Sequence, residues 1–274
     1  MLVAVPEPYD FALSMSRFRD FGTDGATVWH EGGLHRVVAG EELRLEPAPG
    51  GVRASPTRPE AGPELERLLG LAFDLPAFRA WAARRPGLGP LAARLAGFRP
   101  PLTPRPFEAL VVAITTQQIS LRAAAAIRGR FVAAFGARHE VAHAFPEREA
   151  VARLREADLT ALGFSRAKAA SVLALARSDL DLDALAGLPD EEVVRALTAL
   201  PGIGRWSADW FLARHLARPQ AWPAGDLGLR KAVSTFYADG LPMTIPEVRA
   251  LGERFAPFQN LSAHVLLVAA RLTG

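Results

Sequence analysis

A proline followed by two closely spaced glycines interrupts a helical pattern in the C-terminal half of the chain. Residues 190–199 carry apolar side chains at helical spacing, and the pattern resumes at Arg205. Pro201 ends the first helix, while Gly202 and Gly204 permit backbone geometry that a side chain would hinder. The sequence therefore predicts a helix, a very tight turn and a second helix. The first N–H groups of that second helix have no partner within it, and such a helix end suits a phosphate.

The residues around this turn are mostly basic. Between residues 201 and 236 there are five positive side chains and two negative ones, namely Arg205, Arg214, Arg218, Arg230 and Lys231 against Asp209 and Asp226. A DNA backbone favours such an excess because every phosphate carries negative charge. By its glycines alone, the turn could equally be a structural corner between two helices. The surrounding charge favours a polyanionic partner.

The turn also belongs to a longer motif. Residues 200–208 read Leu-Pro-Gly-Ile-Gly-Arg-Trp-Ser-Ala, and Asp226 follows Trp206 after twenty positions. This pattern resembles the helix-hairpin-helix DNA glycosylases, and its Gly-Arg-Trp hairpin is most similar to the bacterial 3-methyladenine DNA glycosylase II family. The resemblance implies a monofunctional enzyme of base excision repair. Such an enzyme flips alkylated purines of the 3-methyladenine or 7-methylguanine type out of the duplex, excises them by hydrolysis and leaves an abasic site.

The resemblance assigns catalysis to Asp226. A carboxylate close to the sugar stabilises the positive charge that develops as the base departs, and it can orient water. The plain structural interpretation of Asp226 is an N-cap of the following helix. Two other functions stay open: excision of another damaged base, oxidised or deaminated, and non-catalytic binding of DNA damage. A protein that only clamped phosphate would not need Asp226.

The aromatic residues behind the hairpin predict the base pocket and the type of chemistry. Trp206 occupies the position at which strand-cleaving relatives carry a lysine nucleophile, so we expect no lyase activity. An indole instead stacks well on an alkylated, electron-poor base. Trp210 lies one helical turn further on and is a second pocket candidate, although both indoles could be core residues. Leu267 falls where better-known family members carry a pocket tryptophan, and Lys231 is not at the family's lysine position.

The resemblance also implies two sets of hairpin contacts. One set binds a DNA phosphate through Gly202, Ile203, Gly204 and Arg205. The other set consists of backbone carbonyls that hold a structural Na⁺ or K⁺ ion, those of Thr198, Leu200 and Ile203. No other cofactor is expected.

A polar break between two apolar helices predicts the DNA wedge. The first helix begins near Phe107, and Ser120 can cap the second, which spans 121–135. Gln117 and Gln118 lie in the break, and in the family a side chain of this segment enters the DNA stack beside the extruded base. An ordinary corner between helices is the alternative.

Turn and strand signals divide the chain into two parts. Residues 1–97 predict an α+β domain, a small antiparallel sheet with helices, because alternating stretches around 26–39 and 42–54 are separated by glycine-rich turns. A helix is expected over 9–21, and another over 64–73 after a Pro- and Gly-rich connection. Residues 98–274 predict an all-α helix-hairpin-helix glycosylase domain, with a helix over 147–157 among its members.

The composition limits the cellular compartment and the kinds of reactive or metal-binding site that we expect for this chain. The chain has 274 residues, a formal net charge of +3 and no cysteine, which excludes disulfides, a thiolate nucleophile and cysteine-ligated zinc or iron–sulfur clusters. Its start lacks the pattern of a signal peptide, and no segment has transmembrane length without charge. We therefore expect a cytoplasmic monomer without a membrane contact. Its expected partner is double-stranded DNA containing damaged bases, and the protein is associated with the nucleoid when it is bound to that DNA.

Overall fold

A computed structural model describes residues 1–273 of the chain. Its N-terminal part contains a five-stranded sheet in which all neighbouring strands are antiparallel, in the order β1-β5-β4-β3-β2. The strands are β1 (Leu2–Ala4), β2 (Thr27–His30), β3 (Gly33–Val38), β4 (Glu41–Ala48) and β5 (Gly51–Ser55). The predicted small antiparallel sheet is confirmed.

Fifteen α-helices lie within the described residues. The first five are α1 (Phe11–Ser14), α2 (Ser16–Asp20), α3 (Gly62–Leu68), α4 (Leu75–Ala82) and α5 (Gly89–Arg94). The next five are α6 (Pro106–Thr116), α7 (Leu121–Phe135), α8 (Arg148–Ala152), α9 (Glu156–Thr160) and α10 (Arg166–Arg177). The last five are α11 (Asp190–Thr198), α12 (Arg205–Arg214), α13 (Leu227–Tyr237), α14 (Ile245–Gly252) and α15 (Gln259–Thr273). Short 3₁₀ helices occupy Pro59–Ala61, Ala184–Gly187 and Glu253–Phe255.

Three predicted helices differ from the observed ones in length. The helix expected over 9–21 is two short helices, α1 and α2, and the helix expected over 147–157 is also two, α8 and α9. The break between α8 and α9 lies where α9 begins, since the N–H of Arg155 donates to the side chain of Asp158 at 2.8 Å and caps α9. The helix expected over 64–73 ends at Leu68, because Gly70 adopts a φ of +71° and lies against the carbonyl of Pro100.

Buried apolar side chains form three clusters. One lies between the sheet and the helices α1 to α3, and a second is built by α6 to α12. The third joins α4 and α5 to α13, α14 and α15. Residues 73–98 thus pack with the C-terminal helices rather than with the sheet that precedes them. The predicted division into domains after residue 97 stays a prediction.

A buried ion-pair network joins the sheet to the helices. Arg36 on β3 donates to both carboxylate oxygens of Glu108 on α6, at 3.1 and 2.7 Å. The same guanidinium donates to Glu64 at 2.9 Å and to the hydroxyl of Thr27 at 2.9 Å. Burial alone lowers the pKa of Arg36, but Glu108 and Glu64 together raise it above its ordinary value. This network holds α6, and the segment that follows it, in a defined place relative to the sheet.

None of the helices within residues 1–273 combines the length and the apolar character that crossing a lipid bilayer requires.

Candidate active site and nucleic-acid interface

The predicted hairpin lies between α11 and α12, and its two glycines serve different purposes. Gly202 adopts a φ of +77°, and a Cβ there would lie 1.8 Å from the hydroxyl oxygen of Ser171. Gly204 precedes the first turn of α12, and a Cβ added there would meet no atom within 4 Å. Close packing therefore requires the first glycine, whereas the second leaves the N-terminus of α12 open. Within the described chain no side chain caps that helix end, so its N–H groups remain available to a ligand.

Replacing Gly202 by alanine is expected to lower the free energy of unfolding by about 2–4 kcal/mol, because a strained φ adds to a steric clash. Gly204→Ala is the matched control and should cost less than about 1 kcal/mol, since its surroundings are open. Urea denaturation of both variants measures the difference. Equal loss of stability in the two variants would contradict the packing argument.

Arg205 begins α12 but is engaged in ion pairs. Its Nε donates to Asp209 at 2.8 Å, and its terminal nitrogens lie 3.4 and 3.5 Å from the carboxylate of Glu191 on α11. Asp209 is buried, and burial raises the pKa of this carboxyl although Arg205 opposes the shift. Arg205 therefore links the two helices of the hairpin, a role that the sequence did not indicate. Its predicted phosphate contact stays a prediction.

Asp226 lies at the N-terminus of α13, and both of its carboxylate oxygens accept hydrogen bonds. Oδ1 accepts the backbone N–H of Leu229 at 2.8 Å, which is the N-cap expected on structural grounds. Oδ2 accepts the indole N–H of Trp206 at 3.3 Å. The two bonds fix the orientation of the carboxylate, and the side chain remains partly exposed in a cleft. Asp226 therefore caps α13 and also lines the cleft.

The cleft has a volume of about 1350 Å³ and brings the predicted residues together. Its walls come from α2, the turn between α6 and α7, α12, α13 and α15. Trp206 is half-buried there, while Trp210 is only 8 % exposed and also packs in the central core. Leu267 lines the cleft as well and gives it an aliphatic wall.

The two glutamines of the predicted wedge have different surroundings. The amide of Gln117 donates to the carbonyl of Gly202 and to the hydroxyl of Ser207, both at 3.0 Å. Gln118 is exposed at the edge of the cleft, with a φ of +57° that is unusual for a residue with a side chain. Lys168 donates to the carbonyls of Thr115 and Gln117 at 2.8 and 2.7 Å. The wedge segment is thus tied to the hairpin through Gln117, and Gln118 is its accessible member.

Several residues of the cleft were not predicted from the sequence. Exposed apolar side chains line the cleft at Ile119, Leu121 and Leu227, and Leu227 is 72 % exposed directly beside Asp226. Basic side chains also line it, among them Arg17, which the N-terminal part contributes through α2. No periodicity marks these residues, because they come from segments that meet only in the folded chain.

Comparisons with known proteins agree with this arrangement. The family described as "HhH-GPD superfamily base excision DNA repair protein" matches residues 111–255, slightly more than half of the chain. A Mycobacterium tuberculosis protein named "Probable bifunctional transcriptional activator/DNA repair enzyme AlkA" is 33% identical over 205 residues, which is 73% of this chain and 40% of that protein. A Bacillus subtilis protein named "DNA-3-methyladenine glycosylase" is 32% identical over 70% of this chain and 66% of its own length.

Solved structures share the fold over nearly the whole chain. A "3-methyladenine dna-glycosylase from Archaeoglobus fulgidus" superposes with a TM-score of 0.88 and 26% identity, and the match covers 99% of both chains. An 8-oxoguanine glycosylase/lyase from Clostridium acetobutylicum, at 17% identity and a TM-score of 0.83, shares the fold over 97% of this chain. The motif, the cleft and the family match together show that this chain belongs to the HhH-GPD superfamily of base excision DNA repair proteins.

Proposed function

We propose that this chain is a DNA glycosylase that excises alkylated purines, of the 3-methyladenine and 7-methylguanine type, and leaves an abasic site. The observation that carries this proposal is the carboxylate of Asp226, held at the cleft by Leu229 and Trp206. The names of the Bacillus subtilis relative and of the Archaeoglobus fulgidus structure support the substrate class.

The chemistry follows from the charge that develops on the sugar. The bond between the base and C1′ breaks with its electron pair leaving on the base, so positive charge accumulates at C1′. A fixed carboxylate stabilises this charge without reorganising, and it can accept a proton from the attacking water. The bonds from Leu229 and Trp206 keep the carboxylate in position.

The hairpin and the wedge segment bind the duplex. The open N-terminus of α12 binds a backbone phosphate without reading sequence, and the exposed side chain of Gln118 takes the space of the extruded nucleotide. Carbonyl oxygens of Thr198, Leu200 and Ile203 suit a Na⁺ or K⁺ ion, since neutral oxygens are ligands of such hard cations. The carbonyl of Leu200 accepts only the N–H of Ile203 within the described backbone, which leaves a lone pair for the ion. The proposed protein acts as a monomer.

The lysines argue for a monofunctional enzyme. A glycosylase that cuts the strand through a Schiff base needs an amine at the sugar, and Trp206 stands at that position of the motif. Of the two lysines, Lys168 is bonded to two backbone carbonyls, and Lys231 lines the cleft from α13 but does not stand at the lysine position of the motif. Water is therefore the proposed nucleophile.

Incubation with duplex DNA carrying 7-methylguanine or 3-methyladenine tests this function. We expect free base to be released and the strand to break only after alkali or heat opens the abasic site. Borohydride added during the reaction should trap no covalent complex between enzyme and DNA. Trapping of such a complex would contradict the monofunctional mechanism, and tight binding of damaged duplex without release would favour a non-catalytic damage binder.

A further inference from the structure

The side chain of Lys168 is bonded to the backbone where α6 ends and the wedge segment, residues 117–120, begins. Its Nζ donates to the carbonyl oxygen of Thr115 at 2.8 Å and to that of Gln117 at 2.7 Å. Because α6 ends at Thr116, no further helical turn supplies N–H donors to these carbonyls, and no backbone N–H of the described residues donates to either of them. A cation at a helix C-terminus is also favourable. Lys168 therefore replaces the donors that the helix end lacks.

The backbone of the wedge segment is strained at the residue that needs to point outward. Gln117 has a φ of −53° and a ψ of 126°, and Gln118 follows with a φ of +57°. These angles follow the pattern of a type II turn, in which glycine or asparagine normally occupies the position with positive φ. A residue with a long side chain stays in such a conformation only where the surrounding structure fixes it. The two bonds from Lys168 fix the direction in which the chain enters this turn.

Helix α10 contacts the hairpin as well, about one helical turn beyond Lys168. Ser171 lies three residues after Lys168 and therefore on the same face of α10. Its hydroxyl oxygen is so close to Gly202 that a Cβ added there would lie 1.8 Å away. From the wedge segment, the amide of Gln117 donates to the carbonyl of the same Gly202 at 3.0 Å. Helix α10 thus sets the position of the wedge segment relative to the hairpin at two points, Lys168 and Ser171.

The distance between the hairpin and the wedge determines whether both can act on one duplex. In the proposed function the hairpin binds a backbone phosphate, and Gln118 takes the space of the extruded nucleotide. The duplex has a fixed spacing between phosphates and base pairs, so a shift of the wedge by about 1 Å should impair base extrusion strongly. An unpaired base costs least to extrude, and its release should depend little on a wedge.

We infer that Lys168 is a positioning residue for base flipping, which directs Gln118 into the duplex by holding the carbonyls of Thr115 and Gln117. Lys168 does not line the cleft that contains Asp226. It is therefore required for excision from paired DNA and not for the chemical step. This inference rests on the proposed glycosylase function and adds a residue to the step that opens the duplex.

The test compares two duplexes that each carry one 7-methylguanine, either opposite cytosine or inside a short unpaired bubble with the same flanking sequence. Single-turnover measurement of released base reports extrusion and chemistry without product release. Lys168→Met should reduce release from the paired duplex by about 10- to 100-fold, because the wedge loses its fixed direction. The same variant should stay within about twofold of wild type on the bubble, since that base is already unpaired.

Two further variants distinguish a positioning role from a general loss of structure. Lys168→Arg keeps N–H donors within reach of both carbonyls, so release from the paired duplex should recover to within about threefold of wild type. Gln118→Ala removes the wedge side chain itself. Adding Lys168→Met to Gln118→Ala should lower release from the paired duplex by less than about a further twofold, because both changes remove the same effect.

Arg177→Met is the matched control, because Arg177 makes the same kind of contact at the other end of α10. Its guanidinium donates to the carbonyls of Ala152 and Leu154 at 2.9 and 2.6 Å, and it does not line the cleft. The control should leave the ratio between paired and bubble release at the wild-type value. Thermal denaturation checks the fold of each variant. Lys168→Gln, which is too short to reach both carbonyls, carries the test if Lys168→Met does not fold.

The outcomes separate this inference from the proposed function. Release of base from neither duplex by wild type overturns the proposed function and the inference with it. If wild type releases base from both, an equal loss on the two duplexes in folded Lys168→Met, or no loss on either, overturns the inference alone. A full additional loss in the Gln118→Ala background also overturns it. If wild type acts on the paired duplex only, this double variant decides by the same criterion.

Discussion

Asp226→Asn is expected to reduce the release of 7-methylguanine by about 100- to 1000-fold, the range typical for loss of a fixed group that stabilises a transition state. Asparagine has nearly the same shape, and its amide oxygen can still accept the N–H of Leu229. The helix cap therefore persists while the negative charge beside the sugar is lost. Single-turnover measurement of released base isolates the effect on the chemical step.

Asp74→Asn is the matched control for this variant. Asp74 also caps a helix, since its side chain accepts the N–H of Ala77 at 3.0 Å, and it does not line the cleft. The control should retain full activity, and both variants should bind damaged duplex with affinity close to that of wild type. Near-normal base release by folded Asp226→Asn would show that Asp226 is only a cap.

Glu108→Ala is expected to lower the free energy of unfolding by about 3–5 kcal/mol, the range for breaking a buried ion pair. Glu108 is 5 % exposed and Arg36 is 2 % exposed, so water cannot replace the lost partner of the guanidinium. Glu64 remains bonded to Arg36 at 2.9 Å and limits the loss. Guanidinium chloride denaturation, with the slope of the transition checked for two-state behaviour, measures the change.

Two further variants show whether the loss comes from an unpaired buried charge. The double variant Arg36→Met/Glu108→Leu should recover most of the stability, because it removes both charges and fills their volume. Glu46→Ala breaks an exposed pair with Arg44 at 2.8 Å and should cost less than about 1 kcal/mol. A double variant as unstable as Glu108→Ala would contradict this explanation.

The local elements of the site were predictable because each has a cause within a few residues. Gly202 with its positive φ follows Pro201, and the hydroxyl of Ser120 caps α7 by accepting the N–H of Ala123 at 3.2 Å. The N-cap role of Asp226 is of the same kind. Helix lengths were less predictable where breaks depend on packing, as at Gly70, where an added Cβ would lie 2.1 Å from the carbonyl oxygen of Pro100.

The contacts that hold the site together could not be predicted from the local sequence. Gln117 and Gly202 are 85 residues apart and share a hydrogen bond. Arg214 and His264 are separated by 50 residues, and Arg17 reaches the same cleft from the other end of the chain. Apolar periodicity reports which face of a helix is buried but not which partner covers it, so these pairs leave no local signal.

The sequence by itself therefore determined the hairpin, the helix that Asp226 caps and the family to which the chain belongs, because tight turns, caps and motif spacing act over short distances. Only the tertiary structure decided what the cleft contains. Packing of α2 against the helical part brings Arg17 beside Arg214, and packing of α15 brings His264 to both. The charge inside the cleft is a sum over residues from distant segments, and only folding brings those segments together.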